Sequence, residues 1–420
     1  MEKSNIKLLY GRKDWILFLS FLAFIALINL KNHYDTFIQF KYNELFHTQG
    51  TVVNIYPKDN FNVLKLQTPH FDFFTSVSLA EPLERFDHVS VMIVSNRTNF
   101  FEYLKGFYAP SINVYKISHL ENSKTALSKF VANQHSLPLF QELYNALFFA
   151  IPISKELRDI CANFGISHLI AISGFHLGVI AFVVYWLCYY PYSYFHSRYF
   201  SYRNKKFDIL LLTVCILFVY LLFTSIVPSF LRAFVMFCLG LFFLRSHIKL
   251  FSFETLLIAT LLILALFPTY VFSISLWFSI AGVFYIFLYL EYFRHLPKVG
   301  QFFLFNAWIY LAMNPITNFF FGTTSYLQLF SSVLTLIFTL FYPIIAVLHL
   351  IGYGGIFDQY LLKMFQLNAY SSEVLTPFWF FVVYLLFSLW AIKKKAVFIV
   401  LNVMLVGFTG YIFYINSTHY

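Results

Sequence analysis

Long apolar segments, joined by short loops that carry lysine or arginine, constrain this sequence more than any other feature. Of its 420 residues 60% are hydrophobic and only 11% are charged, and the mean hydropathy is +0.70. A soluble domain carries about 25% charged residues, so this chain has too little polar surface to fold as a globule in water. The segments predict a polytopic α-helical membrane protein with about nine or ten spans.

The basic residues predict the orientation of the chain in the membrane. Arg12 and Lys13 precede the apolar run 15–30, and no small-residue cleavage site follows that run. We therefore expect an uncleaved first span whose N-terminus is cytoplasmic. Three later basic loops fall on the same side by simple alternation: 191–207, 245–249 and 294–298.

A lysine run at 393–395 breaks this alternation, because simple counting places it outside, against the positive-inside rule. A re-entrant hairpin at Asn314-Pro315, where the proline is expected to break the helix, is one remedy. The sequence leaves the topology of residues 314–374 and the side of the C-terminus open.

Residues 48–120 differ in character from the rest of the chain. Short alternating runs bounded by turn residues predict strands at 51–56, 62–68, 71–77, 88–95 and 112–117. Five short strands suit a small all-β domain of the OB type, and its position after the first span makes it extracytoplasmic. Its aromatic side chains are candidates for base stacking: Phe61, Phe71, Phe73, Phe74, Phe100, Phe101 and Tyr103. Acidic residues balance its basic ones, so DNA binding by this domain alone stays open.

Four segments are therefore expected along the chain. Residues 1–47 form the cytoplasmic N-terminus, the first span and a linker, and 48–120 form the β domain. Residues 121–163 form amphipathic helices at the membrane surface, and 164–420 form the multispan domain.

The stretch 164–180 places polar residues inside an apolar, helix-compatible segment. Its notable residues are His168, Ser173, Gly174, His176 and Gly178. On one helix Ser173 and His176 share a face, and Gly174 and Gly178 have the spacing that lets another backbone approach. Polar groups in lipid need partners, so we expect these to face a bundle interior or a wet cavity. The alternative is a tightly packed helix crossing whose polar groups bond internally.

Three further sites combine prolines with polar residues. Pro228 precedes a helix whose first turn carries Arg232, a combination that favours an anion such as phosphate; the alternative is an arginine that snorkels to lipid headgroups. A second polar seam follows Pro268 and includes Trp277 and several serines. Asn314-Pro315 marks the third.

The sequence offers little support for an enzyme. Ser173 and His176 lack an evident orienting carboxylate, and neither a GxSxG nor a P-loop pattern occurs. The histidines and the four cysteines have no metal-ligand spacing. We expect no catalytic residue, no metal and no cofactor, and we keep a membrane-embedded hydrolase using Ser173 and His176 as the least favoured alternative.

The string Gly-Ile-Ser-His-Leu-Ile-Ala-Ile-Ser-Gly-Phe-His-Leu-Gly at 165–178 closely resembles the signature of the ComEC family, the inner-membrane DNA-uptake channels of naturally transformable bacteria. Two later stretches resemble that family in the same order, 228–233 and 268–282, although Trp277 stands where a Phe-Gln pair is commoner. Residues 314–325 and 342–343 fit loosely. The resemblance covers roughly residues 40–350 and lies mainly in the first motif.

The resemblance implies a multi-pass channel in the bacterial inner membrane that passes single-stranded DNA from periplasm to cytoplasm during natural transformation. The motif residues would line or brace the path, and three residues become candidates for phosphate contacts: Arg232, Lys155 and Arg158. Pro228, Pro268, Trp277, Asn314 and Pro315 would be structural.

The resemblance also suggests partners: single-stranded DNA, membrane lipid, a periplasmic DNA receptor, a separate cytoplasmic helicase or strand-capture proteins, and further copies of the chain. Longer relatives carry a metallo-β-lactamase-like domain that this sequence lacks, so we expect any strand degradation from another polypeptide. The main alternative is a multispan permease for a small anion, with the β domain as a scaffold.

Overall fold

The computed structural model describes residues 11–42, 44–79, 83–95, 98–119, 122–199, 201–243, 252–367 and 370–418. Within these residues the chain is mostly helical, with one β domain near its N-terminus. The basic cluster predicted at 245–249 lies outside the described residues.

The β domain consists of one six-stranded sheet. The strands are β1 Leu45–Pro57, β2 Phe61–Gln67, β3 Asp72–Ser78, β4 Asp87–Val94, β5 Phe107–Tyr108 and β6 Ser111–His119, with helix α2, Phe100–Lys105, before β5. The long strand β1 pairs antiparallel with both β2 and β4. Strand β3 pairs in parallel with β5, and β6, which continues β5, returns to β4. The sheet therefore curls into a ring of five strand positions.

The core of the β domain contains several of the aromatic side chains that were candidates for base stacking. Phe71, Phe73 and Tyr103 are 9%, 0% and 3% exposed, so the expectation that they stack on bases is wrong. They face inward because alternate residues of a strand point to opposite faces. Phe61 and Phe101 are exposed, at 41% and 62%.

The first helix, α1, extends from Arg12 to Tyr42 and ends inside the β domain. Phe40 is fully buried, and its ring lies 5.3 Å from that of Phe71 and 5.2 Å from that of Phe107. The first helix and the β domain thus share one apolar core.

Four short helices follow the β domain: α3 Ser123–Ala132, α4 Pro138–Phe149, α5 Lys155–Asn163 and α6 Ser167–Ile170. The remaining helices are α7 Gly174–Tyr199, α8 Lys205–Phe223, α9 Pro228–Phe243, α10 Phe253–Leu266, α11 Ile274–Phe293, α12 Lys298–Phe320, α13 Ser331–Leu350, α14 Asp358–Phe365, α15 Phe378–Ala391 and α16 Lys395–Thr418. Two three-residue strands, β7 Thr323–Ser325 and β8 Ser371–Glu373, pair antiparallel between α12 and α15.

Six helices of the described chain are long and apolar enough to cross a membrane. They comprise α1, α7, α8, α11, α16 and the segment Tyr326–Leu350 that contains α13. Three shorter apolar helices lie in α9, α10 and α15. The chain is therefore a multi-pass helical membrane protein.

The helix break expected at Asn314-Pro315 does not occur, because α12 continues through Pro315 to Phe320. Neighbouring side chains bond the backbone around the proline. Thr376 donates to the Pro315 carbonyl at 2.9 Å, and Tyr384 donates to the Ala312 carbonyl at 2.6 Å. Such bonds let a membrane helix tolerate a proline.

Candidate functional site

The central motif contains a helix break. Helix α6 ends at Ile170, and α7 begins at Gly174. Ser173 therefore precedes the helix, and the expectation that it shares a helical face with His176 is wrong. Glycine and serine favour non-helical backbone at a helix start, which is where both occur here.

Ser173 and His176 nevertheless bond to each other, as the two partners of a helix cap. The Ser173 hydroxyl accepts from the Phe175 N–H at 3.3 Å, and His176 Nδ1 accepts from the Ser173 N–H at 3.2 Å. This reciprocal pattern is a variant of the capping box, in which the serine bonds the second helical N–H and histidine replaces the usual glutamate or glutamine. Because Nδ1 accepts, the proton of the neutral imidazole lies on Nε2.

The rest of the His176 side chain lies in an apolar contact. Its exposure is 0%, its Nε2 has no hydrogen-bond partner, and the Tyr342 ring lies edge-to-face at 4.6 Å. The imidazole therefore braces the start of α7 and lines no open passage in this structure.

Arg232 lies on α9, and two residues just before this helix have left-handed backbone conformations. Ser225 and Ile226 both have left-handed φ angles, 60° and 53°. A β-branched residue rarely adopts this conformation, which costs on the order of 1–3 kcal/mol and concentrates at functional sites. Ser229 then donates to the Ile172 carbonyl at 2.5 Å and ties the start of α9 to the break before α7.

Arg232 is buried, with 6% exposure. Its Nε donates to the Ser279 hydroxyl on α11 at 2.8 Å. Its Nη2 lies 3.2 Å from the point that a β-carbon on Gly174 would occupy. No ion pair of the described residues includes Arg232.

The N-terminal turns of α7, α9 and α11 meet around this guanidinium. Gly174 is the first residue of α7 and Arg232 lies in the second turn of α9. Helix α11 starts at Ile274, five residues before Ser279, with Ser273 as its cap. Each helix N-terminus carries about half a positive charge, an effect confined to the first turn, so Gly174 is the residue of this group that lies at a positive helix end. A guanidinium close to the start of a helix is a group that can bind an anion.

Gly178 and Gly282, one helical turn beyond Gly174 and Ser279 respectively, have no close neighbours. A β-carbon at Gly178 on α7 or at Gly282 on α11 would meet no atom within 4 Å. Gly178 therefore does not serve the close packing expected of it; only Gly174 does.

The other predicted residues make contacts of their own. His168 is exposed and lies 3.3 Å, through Nε2, from the Thr335 hydroxyl. Lys155 and Arg158 are exposed on α5 and form no ion pair with described residues. Pro228 starts α9, Pro268 starts a short 3₁₀ helix, and Trp277 Nε1 donates to the Val271 carbonyl at 2.8 Å. Asn314 is buried and donates to Thr409 at 3.4 Å.

Sequence analysis missed the roles of Ser229 and Tyr342. Ser229 follows Pro228, which was a usable signal for a polar residue at a helix start. Tyr342 lies in a stretch that fits the family only loosely, and only its contact with His176 shows its role.

The comparison with known families gives one match. A family model described as "Competence protein" matches residues 151–417, which include α5 to α16 and every residue of the Arg232 cluster. No curated protein matches the chain.

Proposed function

The chain belongs to the competence protein family, and from that membership we propose that it conducts single-stranded DNA from the periplasm to the cytoplasm through the bacterial inner membrane. A polyanion cannot enter hydrocarbon, so its path must offer water, cations or aimed N–H groups. The observation that carries the proposal is the buried Arg232 among three helix N-termini.

The arrangement suits the DNA backbone. Phosphates contact a guanidinium and helix N-termini irrespective of base sequence, as a sequence-blind carrier requires. Ser173 and His176 serve the path by holding the start of α7 in place.

The β domain is proposed to be OB-like and extracytoplasmic. Its curled sheet, in which β1 pairs with two strands and β3 pairs in parallel with the last strand position, supports the OB assignment. It docks on the membrane domain through Phe101, whose ring lies 5.0 Å from that of Phe272. Arg85 also donates to the Pro152 carbonyl at 3.0 Å.

The cellular setting follows from this role. The N-terminus is cytoplasmic, and lipid surrounds the apolar helices. A periplasmic receptor delivers the DNA, and a helicase or strand-binding protein in the cytoplasm drives or captures the strand. The protein can also act as an assembly of several copies of this chain, since the proposed DNA path does not require a single copy.

Substitution of Arg232 tests the proposal. Arg232→Gln removes the charge, and we expect labelled DNA to accumulate in the periplasm while its cytoplasmic entry falls by at least about tenfold, the effect of roughly 1.4 kcal/mol. Arg232→Lys keeps the charge and loses the fork geometry, so entry is partly retained. Arg198→Gln, at an exposed arginine of α7, is the matched control. Normal entry with Arg232→Gln in a stably inserted protein contradicts the proposal.

A permease for a small anion is the second candidate. The burial of Arg232 favours it, since an occluded cationic site also fits a small anion. Gene deletion separates the two: loss of transformation with normal anion uptake supports the channel, and the reverse supports the permease. The hydrolase alternative has less support, because Ser173 and His176 are occupied as a helix cap.

A further inference from the structure

Helix α13 touches the same short-helix region, α3 to α6, with both of its ends. At its start, Ser331 donates to the Gly165 carbonyl at 2.8 Å. At its end, His349 Nε2 lies 2.9 Å from His135 Nε2, and Gln134 donates to the His349 carbonyl at 3.0 Å. A 20-residue helix is about 30 Å long, enough to cross a membrane, yet both ends meet one region.

The chain that contains α13 also leaves and returns at one point. The Val374 N–H donates to the Gly322 carbonyl at 2.7 Å, next to the β7–β8 pair. If α13 crossed the membrane, the chain would have to cross back before β8. The only described helix available is α14, whose eight residues cover about 12 Å, too short for a hydrocarbon core of about 30 Å.

The basic loops agree with this reading. Tyr292 donates to the Ala391 carbonyl at 2.5 Å, and its ring stacks on Phe398 at 4.0 Å. The lysine run 393–395 is therefore close to the end of α11 and to the basic loop 294–298. An even number of crossings must separate these two loops. We take them to be α12, whose 23 residues cover about 35 Å, and the shorter apolar helix α15. The lysine run then obeys the positive-inside rule without a re-entrant hairpin at Asn314.

We propose that α13 does not cross the membrane but lies along its outer half, as a lid over the Arg232 cluster. Midway along α13, the Phe338 ring lies 5.6 Å from that of Phe175, and Tyr342 covers His176. Phe175 and His176 belong to the first turn of α7 and directly follow Gly174, which contacts Arg232.

Polar contacts hold the far end of the lid. His349 Nδ1 donates to the Ile345 carbonyl at 2.8 Å, so its Nε2 must accept and His135 Nε2 must donate. His135 Nδ1 lies 2.9 Å and 3.1 Å from the two carboxylate oxygens of Asp358. Asp358, His135 and His349 therefore form one continuous chain of polar contacts.

Gln134 completes this latch, which we define as Gln134, His135, His349 and Asp358. Its side-chain oxygen accepts from the Gly354 N–H at 2.8 Å, while its amide holds the His349 carbonyl. Tyr144 stacks on His135 at 4.5 Å, and burial, with Asp358 nearby, raises the pKa of the Tyr144 hydroxyl far above its usual range. The tyrosine therefore stays neutral beside the latch.

The sidedness of α14 tests the course of α13 without reference to DNA. In a chain whose native cysteines are replaced, Lys58→Cys, Lys363→Cys and Lys394→Cys place single thiols at exposed lysines of the β domain, α14 and the 393–395 run. We expect a membrane-impermeant maleimide added to intact spheroplasts to label positions 58 and 363 but not 394. If position 363 behaves like 394, α13 crosses the membrane and the proposal is wrong.

Movement of the lid, which rests on the proposed channel function, is tested by tying the latch. His135→Cys with His349→Cys, joined by a bifunctional methanethiosulfonate, fixes the far end of α13. We expect DNA entry to fall at least about tenfold when the link forms and to recover on reduction. The same reagent on each single variant is the control. Unchanged entry with the link in place contradicts a moving lid, whereas absence of uptake in the unmodified protein contradicts the channel itself.

Discussion

The guanidinium of Arg232 lies against the bare Cα of Gly174, so that a β-carbon there would be 3.2 Å from Nη2. The same β-carbon would meet the Ala233 β-carbon at 3.3 Å. Both contacts are tighter than ordinary packing, and the second involves an atom that cannot rotate away. Because residue 174 is a glycine, α7 and α9 can pack closely beside the guanidinium of Arg232.

Enlarging Gly174 should separate the two helices and displace Arg232. Gly174→Leu is expected to cost about 1–3 kcal/mol through overpacking and to block DNA entry. Gly178→Ala is the matched control, because nothing lies within 4 Å of a β-carbon there. Transformation frequency and thermal stability in detergent are the measurements; equal behaviour of the two variants contradicts this account.

The capping box predicts a specific pattern at position 176. His176→Gln keeps a side-chain acceptor for the Ser173 N–H and should retain most stability, whereas His176→Phe keeps the aromatic packing and loses the acceptor. Ser173→Ala removes the other half of the cap and should cost about 0.5–2 kcal/mol. Thermal unfolding in detergent ranks the three. If His176→Phe is more stable than His176→Gln, aromatic packing rather than capping determines the contribution of His176 to stability.

Phe40 links the first helix to the β domain and should be essential to both. Phe40→Ala removes a fully buried ring and is expected to cost about 3–5 kcal/mol. Phe24→Ala is the control, since Phe24 is 62% exposed on the same helix. Limited proteolysis of the β domain reports the difference, and equal protection in both variants rules out a shared core.

Gly354 should be required for the latch. A β-carbon there would lie 2.5 Å from His349 Nε2 and 2.7 Å from the Gln134 side-chain oxygen. We expect Gly354→Ala to break the His135–His349 contact and to speed labelling of Tyr342→Cys introduced as a reporter. Gly407→Ala, where nothing lies within 4 Å, controls for the added methyl group. Equal labelling rates for the two variants mean that the latch does not hold α13.

Much of the architecture was predictable because it depends on residues close in sequence. Apolar runs identify the spanning helices, and alternation identifies the strands of the β domain, where all five predicted segments are strands. Pro228 and Arg232 were recognised from the same local logic. The wrong predictions concern residues whose conformation depends on partners distant in sequence. Pro315, for example, stays helical because Thr376 and Tyr384 donate hydrogen bonds to the backbone around it.

Family membership was also predictable, since a short contiguous motif at 165–178 carries it and the family model matches 151–417. The physical role of that motif was not. A serine three residues before a histidine is consistent with a shared helix face, with a catalytic pair or with a helix cap. Because α7 starts at Gly174, Ser173 lies just before the helix and acts as its cap.

The sequence by itself determined a membrane protein with an inserted β domain and one unusual arginine, because hydrophobic length, alternation and charge act over a few residues. Only the tertiary structure decided what surrounds that arginine and how α13 runs. Arg232 meets Ser279 from 47 residues away, and His135 meets His349 from 214 residues away. Contacts at such separations depend on how whole helices pack, which no local pattern encodes.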